Sequence, residues 1–192
     1  MRTLIWAAAL LSLERLFYIW LCHGPRSFVA VCRSPLSGSR VDPVRVVGWV
    51  FTTFKLLQIG VITWWCVVFG DGHPWPPAAR PAAISGGALL IAGGQALNVS
   101  VFRRLGRLGV FYGGQLGRRV RWRDGFPFSW FRHPQYVGAV MTIWGVLLIL
   151  RYPAPDWTTV PLLETAYYWL STKLESYKAA RSTGDAPLPS EN

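Results

Sequence analysis

The sequence is short of the residue types that most often bind metals. Its 192 residues include three histidines, three cysteines and nine aspartates or glutamates. Cys22, Cys32 and Cys66 form no CxxC pair and have no metal-ligand spacing, so we expect them to be buried as small apolar residues. No G-x-G-x-x-G motif follows a strand, which argues against a Rossmann nucleotide site. We therefore expect no metal site and no Rossmann domain.

Negative charge is scarce, whereas apolar and basic residues are abundant. The 20 lysines and arginines give a net charge of +11, 52% of the residues are hydrophobic, and eleven are tryptophan. A basic chain can bind nucleic acid, but here the basic residues lie between long apolar stretches, which favours contact with anionic lipid headgroups. The composition predicts an integral membrane protein and no nucleic-acid partner.

Five apolar stretches are candidate transmembrane helices, since about 20 helical residues cross a ~30 Å hydrocarbon core. They cover residues 3–22, 44–69, 82–102, 136–150 and 157–174. A tight turn at 151–156 would make the last two a hairpin. We predict an all-α membrane bundle over residues 1–178, followed by a disordered polar tail at 179–192.

The distribution of charge between these spans predicts the orientation in the membrane. Residues 103–133 contain eight arginines and one acidic residue, whereas residues 70–81 contain one arginine and one aspartate. Because cytoplasmic loops are rich in Arg and Lys, we expect the N-terminus to face the lumen and the C-terminus the cytoplasm. The first span is interpreted as a retained helix rather than a cleaved signal peptide, since another apolar run follows Glu14 and Arg15 at once.

The pentapeptide from Arg132 to Tyr136 combines a cation, an imidazole, a proline and a phenol just before the fourth span. Pro134 is typical of the first turn of a helix, so Arg132 and His133 would lie at a helix N-terminus. Free backbone N–H groups and the helix dipole favour anions there, which suits a ligand carboxylate or phosphate. The alternative is that both side chains reach lipid headgroups.

Glycine is concentrated in two parts of the chain. The third span contains adjacent pairs at 86–87 and 93–94, where small residues permit either close helix packing or a ligand. Gly109, Gly113 and Gly117 recur every four residues and indicate either one face of a helix or a flexible loop.

Glu164 lies inside the fifth span. A carboxylate in a bilayer costs roughly 2.5–3.5 kcal/mol on insertion scales, so this side chain should face the bundle interior and have a partner. Lys55 or the pair of Glu14 and Arg15 is the expected partner. We predict a structural ion pair.

Glu175 lies eleven residues after Glu164, close to three helical turns, and shares a helix face with Tyr168 and Ser171. It is expected near the cytoplasmic interface, on the same side as His133. That position makes Glu175 the better functional candidate of the two glutamates.

Three blocks within residues 93–176 resemble the phospholipid N-methyltransferase family. They read GQALNVSVFRRLGRLGVFYG, FPFSWFRHPQYVG and LES. The middle block is the most specific, because it combines Phe-Pro-Phe, Arg-His-Pro-x-Tyr and a glycine two residues later. The resemblance is closest to single-domain members from plants and fungi, and the family is related to the isoprenylcysteine carboxyl methyltransferases.

The resemblance implies an enzyme that transfers methyl groups from S-adenosylmethionine to the amino headgroup of a phospholipid. The family's Gly-x-Gly motif falls on Gly94, Gln95 and Ala96, with alanine in place of the second glycine. Its acidic pair falls on Glu175 and Ser176, so one acid remains. The other residues that the resemblance assigns to the cofactor pocket are Arg132, His133, Pro134 and Tyr136.

An acceptor ammonium has no lone pair, so it must lose a proton before it attacks a methyl group. Glu175 or His133 is the expected base. The phospholipid would enter from the bilayer and the cofactor from the cytoplasm, and a eukaryotic source would imply the endoplasmic reticulum.

Three other functions are compatible with these features. A carboxyl methyltransferase for prenylated cysteine would share the cofactor site and differ in its lipid pocket. A non-catalytic membrane scaffold would use the arginines to bind anionic lipid. A fragment of a sterol reductase is the third, although the chain is short for one.

Overall fold

The computed structural model describes residues 2–33, 41–69, 80–120 and 125–184, and for residues 175–184 it describes the backbone alone. These residues form helices and turns without a strand. The helices are α1 (Arg2–His23), α2 (Pro25–Arg33), α3 (Pro43–Val68), α4 (Pro81–Val110), α5 (Pro134–Arg151) and α6 (Thr159–Gly184).

Four helices in this part of the chain, α1, α3, α4 and α5, are long and apolar enough to cross a membrane. They match four of the five predicted spans, and the prediction of an all-α membrane bundle is confirmed. The fifth predicted span corresponds to the first part of α6, which is not among these four. Its crossing of the bilayer stays a prediction.

Two helices are longer than predicted, and one was missed. Helix α4 continues past Phe102, since the arginines and leucines there favour helix although they are too polar to count as a span, and it reaches Val110 after a kink at Gly106, where φ is 63° and ψ is −176°. Helix α6 continues to Gly184, so the boundary predicted at residue 178 falls inside it, and residues 185–192 of the predicted tail lie outside the described residues. The missed helix is α2, which buries Phe28 and Cys32, four residues apart.

The contact between α4 and α5 is made by glycines at matching heights. A Cβ atom on Gly94 would lie less than 3.0 Å from the carbonyl oxygen of Gly138, and the reverse also holds. Gly87 and Gly145 repeat this arrangement two turns away. Close packing is therefore the role of these glycines of α4, as in other membrane helices where small residues let backbones approach.

After α4 the chain forms turns rather than more helix. Residues 111–117 are turns, and Gly117 has a φ of 79°, a conformation that favours glycine. Of the two interpretations of the glycines at 109, 113 and 117, the helical one is wrong beyond Val110, because the helix ends at its C-cap, Phe111, and Tyr112 follows with a φ of 55°. All three cysteines are buried and free, as predicted.

Candidate active site

A cavity of about 700 Å³ opens between α1, α3, α4, α5, α6 and the turns that follow α4. Its volume falls within the range of roughly 300–1,000 Å³ that is usual for sites of small organic ligands. Its wall contains both charged and aromatic side chains. Most of the wall is apolar.

The predicted corner at the start of α5 lies on this cavity. Arg132, His133, Pro134 and Tyr136 all line it. The His133 ring stacks on the Tyr136 ring, with centroids 5.7 Å apart and planes 11° apart. No side chain caps the N-terminus of α5, and the N–H groups of Tyr136 and Val137 donate to the carbonyl oxygen of His133; the positive end of the helix dipole still favours an anionic group there.

The predicted Gly-x-Gly segment is divided by the fold. Gln95 lines the cavity, and its Nε2 donates to Thr142 Oγ1 over 3.0 Å. Gly94 is buried in the contact between α4 and α5. Ala96 is exposed on another face of α4 and is not part of the cavity wall. Of these three residues, Gln95 is the one brought together with the corner at α5.

Four charged side chains meet inside the bundle, and we call them the charged cluster: Glu14, Arg15, Lys55 and Glu164. Arg15 Nη2 lies 3.3 Å from Glu164 Oε2 and 3.8 Å from Glu14 Oε2, and Lys55 Nζ lies 3.5 Å from Glu14 Oε1. Two acids and two bases make the formal charges cancel. This arrangement agrees with the rule that intramembrane charges face the interior and pair with one another.

Glu164 has the structural role predicted for it. Its side chain is 1% exposed, Arg15 donates to one carboxylate oxygen, and Gln58 Nε2 donates to the other over 2.7 Å. Lys55 was also an expected partner, but it donates to Gln58 Oε1 and to the Tyr168 hydroxyl instead. Glu164 is therefore satisfied by Arg15 and Gln58 and does not line the cavity.

Several residues that line the cavity were not predicted from the sequence to be site residues. They are Glu14, Arg15, Tyr18, Lys55, Tyr112 and Tyr168. Charge inside an apolar span was the available signal for three of them, because such a side chain is a functional candidate by default. The tyrosines gave no such signal, since they lie far apart along the chain.

The remaining predicted site residues, Glu175 and Ser176, lie on α6. Their side chains lie outside the part that the structure describes. Tyr168, two turns before Glu175 on α6, does line the cavity.

Comparison with known proteins decides the family. The sequence model of the phospholipid methyltransferase family matches residues 82–180. The chain is also 34% identical over 127 residues to the phosphatidyl-N-methylethanolamine N-methyltransferase of Arabidopsis thaliana, an alignment that covers 66% of this chain and 68% of that protein. The chain belongs to the phospholipid methyltransferase family. No solved structure matches it.

A phospholipid methyltransferase is an enzyme that needs a methyl donor and a membrane lipid as acceptor. The matched segment contains the α5 corner, Gln95 and the cavity face of α6. Family membership therefore favours a catalytic use of the cavity over the non-catalytic scaffold and over the sterol reductase fragment.

Proposed function

We propose that this phospholipid methyltransferase transfers methyl groups from S-adenosylmethionine to phosphatidyl-N-methylethanolamine and to its dimethyl form, giving phosphatidylcholine. The observation that carries the proposal is the single cavity that brings Arg132 and His133 together with Gln95 and Tyr168. The name of the Arabidopsis relative supports the choice of acceptor.

The residues at the start of α5 suit the cofactor. S-adenosylmethionine carries a carboxylate, and Arg132, His133 and the uncapped helix end are groups that favour an anion. Gln95, which lines the same cavity from α4, adds an amide for hydrogen bonding. We assign Arg132 and His133 to anchoring, together with Pro134 and Tyr136, which shape the same wall. Gly94 affects this pocket indirectly, because it allows α4 to pack closely on α5. We do not assign Ala96 to the pocket.

The cofactor supplies a methyl group on a cationic sulfur, and the acceptor amine displaces that sulfur as the C–S bond breaks. The contribution of the chain is to hold donor and acceptor in line, which can lower a barrier by several kcal/mol. It must also accept the proton that leaves the acceptor ammonium before the attack. Glu175 is our choice for this base and His133 the alternative.

The site would face the cytoplasm and open sideways to the bilayer. Residues 103–133, with their eight arginines, include the end of α4 and the segment that precedes α5, and such basic segments favour the cytoplasmic side. The N-terminus would then be luminal and the C-terminus cytoplasmic. In a eukaryotic cell we expect the endoplasmic reticulum membrane.

Expression in a host that lacks its own phospholipid methyltransferases tests the proposal. Lipid extracts should gain phosphatidylcholine when phosphatidyl-N-methylethanolamine is supplied. Membranes incubated with methyl-labelled cofactor and a prenylcysteine acceptor should stay unlabelled in the prenylcysteine. Label in that acceptor and none in phospholipid would contradict the proposal and favour the carboxyl methyltransferase.

Replacing Glu175 tests its role as the base. Glu175→Gln removes the carboxylate and keeps the size, so methyl transfer should fall by about 10²–10⁴-fold, the usual contribution of a positioned base. Insertion and melting temperature should not change. Lys173→Gln is the matched control, since Lys173 is exposed on α6 beside Trp169 and does not line the cavity. Full activity of Glu175→Gln would remove Glu175 from the mechanism.

A further inference from the structure

Helices α3 and α4 both border the cavity, but they pack on different partners. Helix α3 packs on α1 and α2, and α4 packs on α5, whereas no comparable interface joins α3 to α4 in the described part of the chain. The cavity is nevertheless lined from both sides, by Phe51 and Lys55 of α3 and by Gln95 and Asn98 of α4 among others. The space between these two helices is therefore a candidate way into the cavity.

Two apolar clusters show that α3 and α4 meet at one end only. The first cluster joins the start of α3 to the end of α4, with Val44 and Val47 on α3 and Val101 and Val110 on α4. The second cluster contains residues of the last part of α3, such as Val61, together with residues of α1, α5 and α6, and none of its described members lies on α4. Beyond the first cluster, α3 and α4 therefore diverge.

The ring of Phe111 closes the space at the end where the two helices meet. Its centroid lies 5.5 Å from that of Phe51 on α3 and 6.0 Å from that of Phe102 on α4, and a Cβ atom on Gly48 would lie 3.2 Å from its Cε2. Ile59 lies close to three helical turns after Gly48 and on the same face of α3, and it is 60% exposed. The face of α3 that Phe111 covers at Gly48 is therefore open at Ile59.

Lys55 and Gln95 lie at the two edges of this opening, near the midpoints of α3 and α4. Both side chains line the cavity. The residues one turn further along each helix, Ile59 after Lys55 and Val99 after Gln95, are exposed on the outside of the bundle. Each of the two polar residues therefore lies where the cavity wall meets the outer surface of its helix, and the cavity opens sideways between them.

The other pairs of neighbouring helices around the cavity are closed. Helices α4 and α5 are joined by their glycine contact. The remaining pairs are joined by Trp144 Nε1 donating to Thr165 Oγ1 over 3.0 Å between α5 and α6, by the Tyr167 hydroxyl donating to the Ala8 carbonyl over 3.0 Å between α6 and α1, and by Lys55 Nζ at 3.5 Å from Glu14 Oε1 between α1 and α3. A route from the bilayer to the cavity therefore leads between α3 and α4.

The polar edges of the opening indicate what passes through it. An opening with apolar edges would admit hydrocarbon chains alone. An ammonium and an amide halfway along two spanning helices also lower the cost of bringing a charged headgroup to that depth, and polar side chains inside spanning helices commonly mark substrate pathways. The acyl chains of a phospholipid can stay in the bilayer while its headgroup enters. A diacyl phospholipid fits both the polar edges and the apolar surroundings.

We propose that the opening between α3 and α4, bordered by Lys55 and Gln95, is the port through which the phospholipid acceptor enters the cavity from the bilayer. The proposal rests on the function proposed above and adds the route of the acceptor. The cofactor, which is soluble in water, does not use this route. The two substrates therefore reach the cavity through different openings.

The first experiment maps the route in the unaltered full-length enzyme, reconstituted in nanodiscs. The nanodiscs contain phosphatidyl-N-methylethanolamine with a diazirine in one acyl chain or, as a control for lipids that merely surround the protein, phosphatidylglycerol with the same diazirine. After illumination, residues 52–59 of α3 and 92–99 of α4 should carry several-fold more label from the aminophospholipid than from the control lipid. Enrichment on α1, α5 or α6 instead, or no enrichment, would overturn the proposal.

Methyl transfer in the same nanodiscs tests the proposed function separately. If label is enriched at the opening but no methyl group is transferred to any aminophospholipid, the proposed function is wrong and the entry route stands. If methyl groups are transferred but the label is enriched elsewhere, the function stands and the entry route is wrong.

The second experiment narrows the opening with Ile59→Trp and Val99→Trp. Side chains on a helix point back toward its N-terminus, so the two indoles would lie beside Lys55 and Gln95. The kcat/KM for the lipid acceptor should fall about tenfold or more, because the lipid must pass the added bulk. The dissociation constant of S-adenosylhomocysteine, measured by calorimetry, should change less than about twofold. Ala96→Trp is the matched control, since Ala96 is exposed on another face of α4, and it should keep the original kcat/KM. Unchanged kcat/KM in both port variants, or an equal fall in the control, would contradict the proposed route.

Discussion

The contact between α4 and α5 and the charged cluster join helices of the bundle through different kinds of residue. Helices α4 and α5 meet through glycines, and the backbones approach so closely that even a methyl group at Gly87, Gly94, Gly138 or Gly145 would collide. In the charged cluster, α1, α3 and α6 meet through the ion pairs of long side chains. The first contact is held by shape and the second by charge.

The cavity borders these two contacts differently. Glu14, Arg15 and Lys55 of the charged cluster line it, whereas none of the four glycines that join α4 and α5 does. Long polar side chains hold helices together while leaving space between them, and glycines leave none. The α4–α5 pair is therefore a closely packed wall, whereas charged side chains of α1 and α3 line another side of the cavity.

The largest expected effect comes from breaking the charged cluster at Arg15. Arg15→Met leaves Glu164 with Gln58 as its hydrogen-bond partner and removes a cation from beside Glu14. Loss of one partner of a buried ion pair costs about 3–5 kcal/mol, because the other charge stays buried without compensation. The free energy of unfolding, measured in mixed detergent by tryptophan fluorescence, should fall by that amount.

A double variant tells whether charge or packing explains this loss. Arg15→Met with Glu164→Gln removes both charges and keeps the amide contact with Gln58 possible. If the cluster is held by charge, the double variant should be more stable than Arg15→Met alone. Additive losses would show that the side chains matter through packing and would contradict our account of this contact.

The sequence predicted the helices better than the contacts between them. The apolar length of each span located α1, α3, α4 and α5 to within a few residues of their ends, α4 excepted at its C-terminal end. The burial of Glu164 beside Arg15 also followed from the sequence, since an unpaired carboxylate is too costly inside a bilayer. Such predictions succeed because each depends on the free energy of a local segment or of one charge.

The meeting of four tyrosines on the cavity wall and the division of the Gly94–Ala96 segment could not be predicted in the same way. Tyr18, Tyr112 and Tyr168 have no common period, and Tyr112 lies in a turn whose course depends on tertiary packing. For Gly94 the sequence left two roles open, packing and ligand binding, because both require the same absence of a side chain. The rotation of α4 against α5 decides between them, and no local pattern encodes that rotation.

The smaller expected effect comes from the glycine contact, through Gly94→Ala. The added Cβ would collide with the carbonyl oxygen of Gly138 and with the Thr142 side chain. The backbone of a packed helix moves aside less easily than the end of a flexible side chain. Overpacking of this kind typically costs about 1–3 kcal/mol, less than the loss at Arg15. Gly60→Ala is the control, because nothing lies within 4 Å of a Cβ atom there, and it should be neutral or slightly stabilising. If Gly94→Ala were as stable as Gly60→Ala, α4 and α5 could move apart at little cost. That result would contradict our description of their contact as closely packed.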